Sequence, residues 1–314
     1  MPRVKLLYAL MIAGTLLCLL QIWWPTYYLT GDGPCHLYNA RIIHDLQTGT
    51  DTAFYQRFYT YETNPNPNWL SHILLSGLMY VIPAIAAEKL LLSIYTLVLI
   101  TGFYKVLKQT SGSSSYWITA VFLFVFHHTL AKGFYNFSLG TALYFWMIWW
   151  WMRLLEKRNT LNTLVFFLLS GLTFFAQLLP FVLGIITCGM LAISYTATLE
   201  HRLPFINRLA QTLITLIILC APFIALMFWF TNKQGGLNIQ LQHHFYRIIE
   251  LIQFKYLVNM STDEELFTGI TGLTIISLVI YALVYRILHR QYLHKYDGIL
   301  YTTVIIAFVY LFFS

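Results

Sequence analysis

The sequence predicts an all-α, polytopic integral membrane protein, and three observations carry the prediction. Hydrophobic residues fill 58% of the 314 positions and charged residues only 10%, against roughly 25% charged in soluble domains. Mean hydropathy is +0.65. Apolar runs of spanning length recur at about 4–24, 88–107, 116–133, 135–152, 161–178, 181–198, 209–230, 267–288 and 298–313. The expected architecture is about nine transmembrane helices in a single transmembrane domain, 1–314, with one interfacial helix in the first outer loop.

The first run, Val4 to Trp24, exceeds the roughly 7–15-residue core of a secretory signal, and no small-residue cleavage site follows it. It is read as a retained span. The run from Trp69 to Ala87 carries Ser71, His72 and Pro83 and is followed by Glu88. Counting it as a tenth span would turn Lys105, Lys108, Arg153, Lys157 and Arg158 outward, against the tendency of Lys and Arg to stay inside. Laid along the outer interface, with the N-terminus inside, it leaves Arg3, Lys5, Lys105, Lys108, Arg153, Lys157, Arg158, Arg202, Arg208, Arg286, Arg290 and Lys295 on short inner segments. That is 12 of the 19 Lys and Arg residues.

Two large outer loops result, at about 25–87 and 231–266, with smaller outer turns around 127–136 and 177–180. The second large loop holds Gly235-Gly236, His243-His244, Arg247 and Asp263-Glu264-Glu265. Its acidic group reads as an acceptor contact, as a second acid, or as the charge at a helix start. The functional surface is therefore expected outside, periplasmic in a bacterial inner membrane with a cytoplasmic N-terminus. The chain stops at Phe312-Phe313-Ser314, on the edge of an apolar run, which suggests a C-terminally truncated fragment. Four cysteines show no metal spacing and imply no disulfide framework. Basic residues punctuate the spans rather than cluster, which argues against nucleic acid as a partner. No paired half-spans of the inverted-repeat transporter type are visible.

The chemistry is expected in the outer segments. In Thr30-Gly-Asp-Gly-Pro-Cys-His36, Pro34 suits the first turn of a helix, and His36, Leu37, Ala40, Arg41 and His44 follow at helical spacing. Asp32 then stands at the positive end of that helix, at the boundary between water and lipid. It is read as a catalytic base, or more plainly as an N-cap. His36, one turn on, positions a phosphate, tunes the carboxylate, or anchors at headgroups. The stretch Glu62-Thr-Asn-Pro-Asn-Pro-Asn-Trp-Leu-Ser-His72 is an extended strap, and Glu62, Asn68 and His72 are candidates to line the same pocket. His127, His128 and Lys132, with Asn136 close by, form a candidate clamp for a lipid phosphate. The plainer alternative is a snorkelling lysine beside histidines that cap a helix end.

The first span, the motif Gly31-Asp-Gly-Pro-Cys-His-Leu-Tyr-Asn-Ala40, the segment Pro67-Asn-Trp-Leu-Ser-His72, the pair Glu88-Lys89 and the turn Gly133-Phe-Tyr-Asn-Phe-Ser-Leu-Gly140 together resemble the polyprenyl-phosphate-dependent GT-C glycosyltransferases. That group includes protein O-mannosyltransferases and lipid A aminoarabinose transferases. The likeness covers roughly residues 5–200 by layout, and its specific part is the first loop and the 127–140 turn. It implies a polyprenyl-phosphate-linked sugar as donor, a glycan, lipid or protein acceptor, surrounding membrane lipids, and Asp32 as the base. It implies no fixed cofactor beyond an optional divalent metal, Mg or Mn. Two departures weaken the metal-dependent version: Asp32 is followed by Gly33 rather than a second acid, and the next outer turn offers His127, His128 and Lys132 instead of a carboxylate. The expected function is an inverting membrane glycosyltransferase. The alternatives are a transporter or flippase for a lipid-linked solute, and a non-catalytic scaffold subunit.

Overall fold

A computed structural model describes residues 2–60, 62, 64–111, 116–199, 204–234, 265–289 and 294–312. Among these the regular elements are all helical. Five helices are long and apolar enough to cross a membrane: Val4–Trp23, Ala84–Ser111, Leu178–Thr198, Phe205–Lys233 and Gly269–Arg286. The protein is therefore helical with the long apolar helices of a multi-pass membrane protein. The other four expected spans differ for identifiable reasons. Residues 116–133 break into short pieces. The helix Tyr135–Glu156 is 22 residues long but rich in Trp and Tyr, whose polar tips lower its hydropathy. Thr160–Ala176 has 17 residues and Gly298–Phe312 has 15, about 22 Å at the helical rise.

The chain divides into two compact units: residues 1–150 with 164–182, and residues 151–163 with 183–314. In the first unit, α1 (Pro2–Trp23) buries Leu7, Met11, Cys18 and Ile22, a stripe at helical period, and leaves Ile12, Leu16, Leu17 and Leu20 exposed. It packs against α5 (Ala84–Ser111). Its end is closed from that neighbour: Lys89 Nζ donates to the carbonyls of Trp23 at 3.4 Å and Pro25 at 2.5 Å, where a cation suits the negative helix terminus. Next come α2 (Gly33–Thr48) and the single turn α3 (Thr52–Tyr55). Helix α2 stops at Gly49 in the left-handed region, φ 81°, whose N–H bonds Asp45 O.

The expected interfacial segment contains α4 (Leu70–Leu78), nine residues long. At about 13 Å this is too short to cross a bilayer. It packs against α2 and α5. The segment 116–133 is a 3₁₀ turn (Tyr116–Val121), then α6 (Phe122–Val125) and α7 (His128–Ala131). The break falls at Phe126 and His127, the latter extended at φ −78°, ψ 164°. A histidine that caps a new turn ends the preceding one. Helices α8 (Tyr135–Glu156), α9 (Thr160–Ala176) and α10 (Leu178–Thr198) follow.

The second unit contains α11 (Phe205–Lys233), α12 (Glu265–Leu288) and α13 (Gly298–Phe312). Trp151 is buried and its indole N–H donates to Cys188 O at 2.8 Å. At one end Asp297 takes both arms of the Arg286 guanidinium, at 2.7 and 2.5 Å, and the amide of His294 at 2.6 Å. Burial pushes the Asp297 carboxyl up, but these donors outweigh it and hold the group below the usual carboxylate range. Lys295 and Tyr296 both reach Glu156 there. Residues 235–264 lie outside the described residues, and with them Gly235-Gly236, His243-His244, Arg247, Asp263 and Glu264.

Candidate functional site

Four segments expected on the outer side meet in the first unit. The amide of Gly31 bonds Ala131 O at 2.9 Å and that of Asp32 bonds Lys132 O at 2.7 Å. The amide of Trp69 bonds Phe175 O at 3.0 Å, joining the strap before α4 to the end of α9. Gly133 makes the first contact close. Its φ is 88°, and a Cβ there would lie 2.3 Å from Gly33 N and 2.6 Å from Asp32 N. Only glycine supplies both that backbone conformation and that approach.

Asp32 occupies the N-cap position of α2, yet its side chain makes no capping hydrogen bond. The residue is exposed. Its carboxylate is therefore displayed at the helix start instead of being used up in closing it. Lys132 is exposed too, on the backbone position that bonds Asp32. A carboxylate and an ammonium thus rise from adjoining strands of backbone.

Behind Asp32 lies a buried polar line. Thr30 Oγ1 and Tyr135 Oη are 3.0 Å apart, and Tyr135 Oη donates to Glu88 Oε1 at 2.5 Å. Tyr135 and Glu88 are both buried. Burial also pushes the nearby Tyr28 phenol up to about 12. His36, half-buried, places its ring 5.8 Å from that of Tyr135 and its Nδ1 3.0 Å from His72 Nε2. His72 Nδ1 in turn lies 3.3 Å from Asn68 O. Burial lowers the pKa of both imidazoles; the charge of Asp32 opposes this at His36, and His36 adds to it at His72.

Glu62 and His72 line a cavity of about 220 Å³ with Asn39, Ile42, Trp69 and Ile73. Glu62 also accepts from Asn64 Nδ2 at 2.6 Å. The cavity is thus bordered by α2, α4 and the strap between them, and the His36–His72 contact connects its wall to the Asp32 turn.

The expected phosphate clamp takes a different form. His127 is the N-cap of α7: its Nδ1 accepts from Leu130 N at 3.2 Å and from Thr129 Oγ1 at 2.5 Å. Its ring is buried edge-on to Tyr95 and Phe137. His128 begins the turn with its Nδ1 buried and, among the described residues, without a hydrogen-bond partner. Of the three, His127 is buried, His128 half-buried and Lys132 exposed. Asn136 is buried and serves α4: Oδ1 accepts from Ser71 N at 2.7 Å and Nδ2 donates to Asn68 O at 2.6 Å.

No family model matches the chain, and no curated protein or solved structure matches it either.

Thr30, Glu88 and Tyr135 were not among the expected site residues. Glu88 carried a readable signal, a carboxylate embedded in an apolar helix, which is costly without a partner. Its partner is 47 positions away and has no local signature. Among the described residues no group of three His, Cys, Asp or Glu side chains is placed to hold a metal ion.

Proposed function

We propose that this protein is an inverting membrane glycosyltransferase of the GT-C type, moving a sugar from a polyprenyl phosphate to an acceptor hydroxyl at the outer face of the membrane. The observation that carries this reading is the junction of Asp32 with Lys132 through their backbones. It brings an uncommitted carboxylate and a cation to one end of the helices, where a lipid-linked donor and a polar acceptor can meet. In the reaction the acceptor oxygen attacks the anomeric carbon, the bond from that carbon to the phosphate oxygen breaks, and the phosphate departs with the electron pair. Asp32 takes the acceptor proton as general base, a role worth about 10²–10⁴-fold. Lys132 neutralises charge growing on the leaving phosphate.

Nine spans with an interfacial α4, a cytoplasmic N-terminus and a bacterial inner membrane complete the proposal. Two observations favour that threading. The segments assigned outside gather around Asp32 in the first unit. Glu156 and Lys295, from segments assigned inside, pair in the second unit at 3.1 Å. The deciding assay is sugar transfer from a polyprenyl-phosphate sugar in proteoliposomes. Asp32→Asn, inserted normally, is expected to abolish transfer while Asp32→Glu retains part of it; full activity of Asp32→Asn removes the base.

A second reading, a transporter for a lipid-linked solute, is favoured by the buried Glu88–Tyr135 pair, since carboxylates within spans often mark transport pathways. Solute uptake into sealed vesicles driven by an ion gradient, and lost in Glu88→Gln, would select it.

A further inference from the structure

The contact between His36 and His72 has its protons set by its far end. The carbonyl oxygen of Asn68 can only accept, so His72 carries its proton on Nδ1, 3.3 Å from that oxygen. A neutral His72 then has its lone pair on Nε2, which faces His36 Nδ1 at 3.0 Å. His36 must donate from Nδ1, and its own lone pair is left on Nε2. Asn68 is well held for this task. Its backbone sits at φ 69°, and the same carbonyl accepts Asn136 Nδ2 at 2.6 Å.

Four sets of groups face His36 from the elements packed around it. They are His72 and the Asn68 carbonyl on the α4 side, Tyr135 from α8 with its hydroxyl joined to Thr30 and Glu88, and Asp32 one turn back on α2. Burial lowers the pKa of both imidazoles, and only Asp32 opposes it at His36. Neutral and fixed in this tautomer, the half-buried His36 keeps its acceptor on Nε2. Asp32 offers one as well. The two are i and i+4, and the amide of His36 bonds Asp32 O at 3.1 Å, so they share a face of the helix start.

We propose that the face formed by Asp32 and His36 Nε2 binds a ligand through its hydroxyl groups: a saccharide or similar polyol, with one hydroxyl donating to the carboxylate and a neighbour to the imidazole. A phosphodiester, which carries no proton, is refused by both. Within the transferase reading, on which only this last step rests, the face is the acceptor subsite, and the donor phosphate is held on the Lys132 side. His72 touches no ligand; it is a positioning residue that sets the tautomer of His36.

The test is NMR of the full chain in detergent micelles, labelled with ¹⁵N-histidine and read through two-bond ¹H–¹⁵N correlations at pH 7.5. His36 and His72 are both expected as Nδ1–H tautomers, the reverse of the form a free imidazole favours in water. His72→Ala should return His36 to Nε2–H, whereas His72→Gln, whose amide oxygen still accepts, should keep Nδ1–H. Methyl glucoside should shift the His36 Nε2 resonance, and dimethyl phosphate should not. A wild-type His36 in the Nε2–H form overturns the proposal, and so does a response to the phosphodiester or to neither probe. If the tautomers and the glucoside response hold but no sugar transfer is ever detected, the binding face stands and the transferase reading falls.

Discussion

Asn136, at the start of α8, caps α4 from outside: its Oδ1 lies 2.7 Å from Ser71 N, an amide of the first helical turn. Trp69, the residue before α4, has no side-chain cap hydrogen bond to give, so the orphan N–H is satisfied by a residue 65 positions away. The other end of the same amide holds Asn68 O, the carbonyl that orients His72. One buried side chain thereby links helix capping to the candidate site.

Asn136→Ala is expected to destabilise the protein by about 1–3 kcal/mol, since it leaves a buried amide unpaired. Thermal unfolding of the detergent-solubilised protein measures it. An unchanged midpoint would mean that Ser71 N finds another acceptor.

Gly133 and Gly49 make a paired experiment, because both sit at positive φ, 88° and 81°. A Cβ at Gly49 meets nothing within 4 Å, whereas one at Gly133 meets the backbone of Asp32 and Gly33. Gly49→Ala should cost only the left-handed backbone penalty, about 1–2 kcal/mol. Gly133→Ala should cost clearly more and should also suppress the proposed sugar transfer by opening the Asp32–Lys132 junction. Equal effects of the two substitutions on stability and activity would contradict that account.

Acid should unfold the protein in two separable steps. His36 and His72 have folded pKa values below the unfolded value of about 6.5, so their contribution is complete above that pH. It is lost as pH falls from there through the folded values. Asp45 behaves differently. Burial pushes its carboxyl up, but hydrogen bonds from Arg41 at 2.8 Å and His44 at 3.0 Å prevail and lower it. Its contribution persists down to about pH 3.9 and disappears below it. Unfolding midpoints followed against pH should fall first with the histidines; His72→Gln should flatten that first step, and Asp45→Asn only the second.

Arg286→Lys tests the clasp in the second unit. Lysine keeps the charge but loses the fork that meets both oxygens of Asp297. A loss of about 1.5–3 kcal/mol is expected, the worth of a hydrogen bond to a charged group. Asp297→Asn should show little additional loss when combined with it, because the two changes remove one interaction. Full additivity would place the two residues in separate interactions.

The membrane class was legible in the sequence, because the cost of burying charge in lipid acts on composition itself. So was the placement of α2, where Pro34 and the spacing of His36, Ala40 and His44 depend only on the helical period. Residues 116–133 mark the limit: their apolar composition reads as one continuous helix, yet His127 caps a second turn and breaks it into short pieces. Hydropathy averages over a window and does not register one capping bond.

What the sequence determined by itself is a helical membrane chain and a set of polar segments between its apolar runs. Tertiary structure alone decided which of those segments touch. It joined Asp32 to Lys132, gave Asn136 to α4, turned His127 inward, and paired His36 with His72. The physical reason is range. Helix period, turn chemistry and transfer into lipid are local and can be read residue by residue. A hydrogen bond across 36 or 100 positions exists only once packing has brought its two ends together.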